Sequence, residues 1–332
     1  MLSKRALWGY TGFTIALCLL VFEAFLRLTG HVRGYNDPTL YRVSESGSRY
    51  ELNPGWSGMY SGASVRINSL GVRGPEVPSD KAHQEFRILM VGDSVLFGQG
   101  VEETHLLSVQ LERMLQSVRP ERLIRVINAG VSGYNTSAEL ERLRGLLSLR
   151  PDLLIVAYTV DNDSDVDLGF QIDHTKTRVL DSAVNPSLLG RVSLWMHRRS
   201  SAYNFIRARI RIILHDQRRN PPLSPQQAFA DDNPGWRRSR SALAEMHALA
   251  LQAQIHFIVA GIGLVQLVGG LDTVAAFCRE QGLPYVEIWR TTDLADYFSR
   301  YAISAVDGHA NAAGLRVMAE RLSTAIQPFI PD

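Results

Sequence analysis

Apolar and polar positions follow two rhythms along this 332-residue chain, after an opening run that has neither. From Ala6 to Phe22 no residue is charged, and apolar character continues through Phe25 and Leu26. At about 1.5 Å per residue, a helix over Ala6–Leu26 is roughly 31 Å long, which matches a bilayer core. Lys4 and Arg5 precede the run, and Trp8 and Tyr10 stand near that edge, where aromatic rings favour the membrane interface. Residues 1–30 are therefore read as an uncleaved membrane anchor, in preference to a buried globular helix. A signal-peptide exit would fall at Glu23-Ala24-Phe25-Leu26-Arg27, a poor small-x-small site, and bulky Leu17 argues against lipid attachment at Cys18. Lys4 and Arg5 compete with Arg27 and Arg33 for the cytoplasmic side. The expected orientation has the N-terminus inside and the main domain on the periplasmic or extracytoplasmic side. Glu23 then falls near the far end of the span, within reach of headgroups or water.

Residues 31–84 are rich in Gly, Ser, Pro and Asn, with Tyr41, Tyr50, Trp56 and Tyr60 set between turns. They predict an irregular lead-in, with one or two short strands around Ser64–Asn68. From residue 85 to 330 the pattern alternates between short apolar runs and helical periodicity. Strands are predicted at Arg87–Val91, Leu123–Ile127, Leu153–Thr159, Ile255–Ala260 and Pro284–Ile288. Helices are predicted at Thr104–Ser117, Ser137–Leu149, Ser239–Ala253 and Asp272–Glu280, with a last one carrying Leu315, Met318, Ala319 and Leu322 on one face. This alternation implies an α/β fold: a three-layer αβα sandwich around a parallel sheet of about five strands. The rhythm breaks over residues 164–235, read as an insertion with a helical stretch over Leu194–Leu214. Its arginines Arg198, Arg199, Arg207, Arg209 and Arg211 are read first as a solvated face, with anionic lipid or polysaccharide contact as alternatives.

Composition narrows the function classes. The chain is 45% hydrophobic and 20% charged, enough for a substantial core. With 35 Lys and Arg against 33 Asp and Glu, its formal charge is only +2. No basic run or reading motif points to nucleic acid. Two cysteines, Cys18 and Cys278, make no disulfide framework, and no Cys/His cluster has metal spacing.

Polar residues gather where the predicted strands end, the edge at which open α/β sheets bind ligands. Gly92-Asp93-Ser94 puts a hydroxyl just after the first strand. A serine there is either a helix-capping residue or a nucleophile. His309, in Asp307-Gly308-His309-Ala310-Asn311, precedes the last helix, either in a plain surface turn or as a base with Asp307 as its orienting acceptor. The remaining histidines, His105, His197 and His247 among them, have no comparable neighbours. Gly133 after the second strand and Asn162 after the third are candidate donors to an oxyanion, the first through its backbone N–H and the second through its amide.

The combination resembles the GDSL/SGNH hydrolase family, in its membrane-anchored bacterial form. Val91-Gly92-Asp93-Ser94 resembles the family's first block, Asn128-Ala129-Gly130-Val131-Ser132-Gly133 the second, Asn162-Asp163 the third and Asp307-Gly308-His309 the last. The resemblance spans roughly residues 85 to 325. It departs from the family at Val160, where a glycine is usual, and Asp161 leaves the register of the third block open by one residue. Asp307 stands two residues before the histidine rather than three, a spacing similar to the polysaccharide O-acetylation branch, and Ala310 replaces a common proline. Ile67-Asn68-Ser69-Leu70-Gly71-Val72-Arg73-Gly74-Pro75-Glu76 also resembles a stretch of the membrane-anchored members, with a structural turn as the plainer reading.

The resemblance implies a serine esterase on a flavodoxin-like fold, with Ser94 as nucleophile, His309 as base and Asp307 as its partner. The N–H groups of Ser94 and Gly133 and the amide of Asn162 would hold the oxyanion. It implies no metal or organic cofactor. The expected substrate is a small acyl ester, such as an O-acetyl group on an envelope or exported polysaccharide. An O-acyltransferase, a lipid-directed esterase and a non-catalytic assembly protein are the alternatives.

Overall fold

In the structure, a computed structural model of the chain, residues 4–29, 37–44, 50–163, 188–206, 210, 223–305 and 307–331 are described. The first element is helix α1 (Lys4–Thr29). Its Trp8–Leu28 stretch has a mean hydropathy of 1.8 and is almost wholly exposed, with only 6% of it buried against the rest of the chain. That length and composition suffice to cross a membrane, and a signal sequence would share them.

The segment after α1 is more ordered than its turn-rich composition predicts. Strands β1 (Tyr41–Val43) and β2 (Tyr50–Leu52) form one antiparallel hairpin, and β3 (Ser57–Tyr60) and β4 (Ala63–Arg66) another. Isolated two-stranded hairpins are marginal in water. These persist by burying Tyr41, Tyr50, Tyr60 and Val65 in a small core shared with Phe97, Val131 and Tyr134 of the main domain. The strand expected around Ser64–Asn68 corresponds to β4, and β1, β2 and β3 form where irregular chain was expected, because tertiary burial of the tyrosines outweighs weak local strand propensity.

The main sheet has β5 (Glu85–Gly92), β6 (Leu123–Asn128), β7 (Leu153–Thr159), β8 (His256–Gly263) and β9 (Tyr285–Arg290). All neighbours are parallel, in the order β6-β5-β7-β8-β9. Residues of β5 and β7 are buried along their full lengths, as a sheet covered on both faces requires. Alternate residues serve opposite cores. Ile88, Met90, Ile155 and Ala157 face the core that includes α3 (Leu107–Val118) and a C-terminal helix (Ala312–Ile326). Leu89, Val91, Val156 and Tyr158 face the core of α4 (Thr136–Leu146) and two later helices, Pro234–Gln252 and Gly270–Glu280. Each fully buried aliphatic side chain contributes about 1.5–3 kcal/mol. The strand order reverses between β5 and β7, so a crevice opens at their C-terminal ends.

Beyond β7, the described part of the insertion holds α5 (Leu188–Arg199), a helix whose described residues are 201–206 and 210, here α6, and a single turn over Pro225–Ala228. The expected continuous helix over Leu194–Leu214 is therefore broken at Ser200; Arg207, Arg209 and Arg211 lie outside the described residues. The main core resumes before residue 235, since Ala228 and Phe229 are already buried in it beside Trp236. Two elements without a clear periodic signal, helix Leu294–Arg300 and the hairpin β10 (Ala302–Ser304) and β11 (Asp307–Ala310), precede the last helix.

Candidate active site

Ser94 is placed by the residue before it. Asp93 caps α2 (Ser94–Phe97), its carboxylate accepting from the Val95 N–H at 2.8 Å. The capping role considered for Ser94 thus falls to Asp93, which leaves the serine hydroxyl available at the first helical position. The single helical turn ends at Gly98, whose φ of 77° belongs to the left-handed region favoured by glycine.

His309 is brought in from the far end of the chain by β11. Pairing of Ala310 with Ala302 fixes the strand, and Asn311 ties its end down by donating to the carbonyls of Arg300 and Ala302 at 2.9 and 3.0 Å. Tyr297 donates its hydroxyl to the Gly308 carbonyl at 2.7 Å. His309 Nε2 then lies 2.9 Å from Ser94 Oγ. On the other side of the ring, Nδ1 lies 2.6 Å from Asp307 Oδ1. An ionised carboxylate only accepts, so Nδ1 carries the hydrogen and Nε2 of the neutral ring accepts from the Ser94 hydroxyl. Asp307 also accepts from the His309 backbone N–H at 3.1 Å, so the two-residue spacing closes a tight turn around the ring. Ser94 is buried at 3% exposure, while the His309 and Asp307 side chains are 29% and 31% exposed. The nucleophile candidate therefore sits at the floor of the crevice and the imidazole at its wall.

The loops after β6 and β7 complete the floor. Asn162 donates its amide to Asp93 Oδ2 at 2.6 Å, and Thr159 donates to Oδ1 of the same carboxylate at 3.1 Å. Asp161 instead accepts the N–H groups of Val265, Gln266 and Leu267, latching the loop after β8. This division assigns the register that the sequence leaves open: Asn162 faces the serine block and Asp161 faces away. Val160, in place of the usual glycine, is fully buried and pairs with the Ile262 carbonyl at 3.0 Å. Gly133 has φ 84°, so glycine is the residue that suits its turn. Three positions earlier, a Cβ on Gly130 would lie 2.5 Å from the Phe97 backbone nitrogen, so the second block passes directly against α2.

Several supporting residues were not anticipated. Arg73, in the upstream Ile67–Glu76 stretch, is buried and donates to the carbonyls of Phe97, Gly98 and Val101 at 2.7, 2.7 and 2.6 Å, and to Ser64 at 3.2 Å. Its guanidinium lies 4.9 Å from the Phe97 ring centroid, and burial lowers its pKa to about 10. The stretch therefore clamps the end of α2. Asn68 shapes the turn that presents it, accepting from the N–H groups of Leu70 and Val72. Tyr50 of the lead-in donates to the Ser132 carbonyl at 3.1 Å, next to Gly133. Beneath the site, the carboxyl groups of Glu139 and Asp163 are fully buried. Burial, with the nearby Asp93 charge, raises Glu139 to about 8, and Asp163 is also raised. Asp93 itself is pushed up by burial. The hydrophobic-polar pattern carries no signal for this pair; Arg73 had one, an arginine inside a motif-like run without an obvious surface role.

The description "GDSL-like Lipase/Acylhydrolase family" matches residues 90–317, which is more than half of the chain and contains all four blocks. The chain belongs to this family. It is a serine ester hydrolase by that membership, and the five-stranded α/β fold agrees with it. Among solved structures, the GDSL-like domain is similar to TesA, at 16% identity and a TM-score of 0.43 over 73% of this chain and 99% of that one. An acetyl xylan esterase variant, Axe2 from Geobacillus stearothermophilus, is similar at 14% identity and a TM-score of 0.44 over 73% of this chain and 94% of that one. A two-domain esterase, CEX, described as active on acetylated mannans, matches at 13% identity and a TM-score of 0.41 over 75% of this chain and 50% of that one. The chain thus spans half the length of that last protein. These likenesses are distant, and the family assignment rests on the sequence match. Comparison with curated proteins gave no match.

Proposed function

We propose that this GDSL-like domain hydrolyses a small acyl ester, with Ser94 as nucleophile, His309 as general base and Asp307 as the group that orients the imidazole and stabilises its protonated form. The observation that carries the reading is the hydrogen-bonded line from Ser94 Oγ through His309 to Asp307, at 2.9 and 2.6 Å. His309 Nε2 takes the serine proton as Oγ attacks the carbonyl carbon. The backbone N–H groups of Ser94 and Gly133 hold the developing oxyanion together with Asn162. An amide nitrogen has two hydrogens, so Asn162 can donate one to Asp93 and the other to substrate. His309 then protonates the leaving alcohol, and water releases the acyl group by the same steps in reverse order.

The substrate class proposed is an O-acetyl or similarly small ester on an envelope or exported polysaccharide. It draws on the Asp307-Gly308-His309 spacing and on α1, read as an uncleaved anchor that holds the domain on the extracytoplasmic side. An O-acyltransferase shares the same acyl-enzyme and is favoured by the same spacing; a sugar hydroxyl would replace water. The test is hydrolysis of p-nitrophenyl esters of graded length by the wild type and Ser94→Ala. Expected is a large activity, greatest for acetyl, that is lost in the variant. Activity retained by Ser94→Ala would overturn the nucleophile assignment, and acyl transfer to an added glycan in excess over hydrolysis would select the transferase.

A further inference from the structure

A single turn near the end of α1 holds both α5 and α6. Glu23 accepts from the Ser201 and Ala202 N–H groups at 2.9 and 2.8 Å and from the Ser200 hydroxyl at 3.0 Å, which caps the start of α6. One turn later Arg27 donates to the Arg199 carbonyl at 2.5 Å, at the end of α5. Anion at a helix start and cation at a helix end are the arrangement the helix dipoles favour. Arg27 and Glu23 also pair with each other at 2.6 Å, and the Phe22 ring meets Phe205 edge-on with centroids 5.6 Å apart. A hydrogen bond of 2.8 Å between Ser193 and Tyr203 fastens α5 to α6.

The face of α5 away from this junction is apolar and uncovered. Leu188 and Leu189 are 78% and 82% exposed, and Val192 and Trp195 are more than half exposed. At 3.6 residues per turn these four fall within an arc of roughly 120°. Ser193, which meets Tyr203, lies beyond one edge of the arc. Arg191 is exposed beside the other edge, and exposed Arg199 stacks over Trp195 at 5.6 Å from its ring centroid. Aliphatic residues and a tryptophan on one face, with Arg191 at its border and Arg199 at the C-terminal end of the helix, are what a helix lying in the bilayer interface presents. The position fits as well. From Lys4 to Glu23 α1 rises roughly 28 Å, close to the hydrocarbon thickness, so the α5–α6 junction comes at headgroup level.

We infer that α5 is a second membrane-contact element, lying on the outer bilayer surface with Leu188, Leu189, Val192 and Trp195 in the acyl boundary and Arg191 and Arg199 at anionic headgroups. This rests on the reading of α1 as a membrane span.

The test uses the full chain with Cys18→Ser, reconstituted into phosphatidylcholine vesicles containing phosphatidylglycerol. An environment-sensitive nitrobenzoxadiazole probe is attached at Trp195→Cys or, separately, at Phe13→Cys, with esterase activity as the check on folding. Doxyl groups at shallow or deep positions of the lipid tails serve as quenchers. Expected is loss of at least half of the Trp195→Cys emission with shallow quenchers and less with deep ones, while Phe13→Cys is quenched by the deep ones. A quenched Phe13→Cys probe with an unquenched Trp195→Cys probe overturns the inference and leaves the anchor standing, whether water or another protein copy covers α5. If neither probe is quenched, the anchor reading fails and the inference falls with it.

Discussion

The amide of Asn162 donates to the buried carboxylate of Asp93 at 2.6 Å, which joins the loop after β7 to the residue that caps the helix of the candidate nucleophile. The candidate oxyanion amide and the candidate nucleophile are therefore oriented by one shared carboxylate. Asn162→Ala removes both the tie and the donor, and is expected to lower kcat roughly a hundredfold or more, with a smaller change in KM. Steady-state kinetics on p-nitrophenyl acetate reads this. A decrease below threefold would remove Asn162 from the machinery.

Asp307 accepts from Nδ1 of His309 and so selects the tautomer in which Nε2 is the acceptor. Asp307→Ala leaves the ring free to rotate and the imidazolium without a counter-charge. The expected loss in kcat is roughly a thousandfold. The rate of fluorophosphonate labelling at Ser94 should fall in parallel, since both reactions need the same deprotonation.

Arg73 supplies donors to four backbone carbonyls around the end of α2. A methionine of similar length keeps the packing and leaves those acceptors unpaired. Arg73→Met is expected to cost about 2–4 kcal/mol, read as a lower midpoint in urea unfolding. An unchanged midpoint would mean that water replaces the guanidinium at no loss.

The buried Glu139 carboxyl, raised by desolvation, makes stability depend on pH. The folded-state value of Glu139 is about 8 against an ordinary carboxylate value of 4.5, so the folded chain binds more protons than the unfolded one between those limits. Unfolding free energy then falls as pH rises through that window. Glu139→Gln keeps the shape of the side chain without a titrating group and should flatten the decline of Tm between pH 6 and 9 (about the range that brackets the folded-state value). A variant whose Tm declines as steeply as the wild type would place the titration elsewhere.

Much of this protein follows from local pattern. Buried strands such as Leu153–Thr159 are continuous apolar runs, and helices such as Leu107–Val118 repeat at the helical period, so the α/β order is readable residue by residue. Gly92-Asp93-Ser94 and Asp307-Gly308-His309 stand out because a short-range motif sits at each strand end. The tyrosines of the lead-in belong to the opposite case. Their hairpins have little strand propensity of their own and exist because Phe97, Val131 and Tyr134 complete their core.

The chain by itself determined the alternation of strands and helices around the main sheet, the apolar opening helix and the residue types at the site, since those depend on neighbours one to four positions apart. Tertiary structure decided that Asn162 rather than Asp161 meets Asp93, that Arg73 holds the turn after Ser94, and that Glu139 and Asp163 are buried beneath the site. Each of these is a contact between segments distant in sequence, made in a low-dielectric interior where charge and hydrogen bonding depend on which side chain points inward. Periodicity along a strand or helix carries no record of that choice.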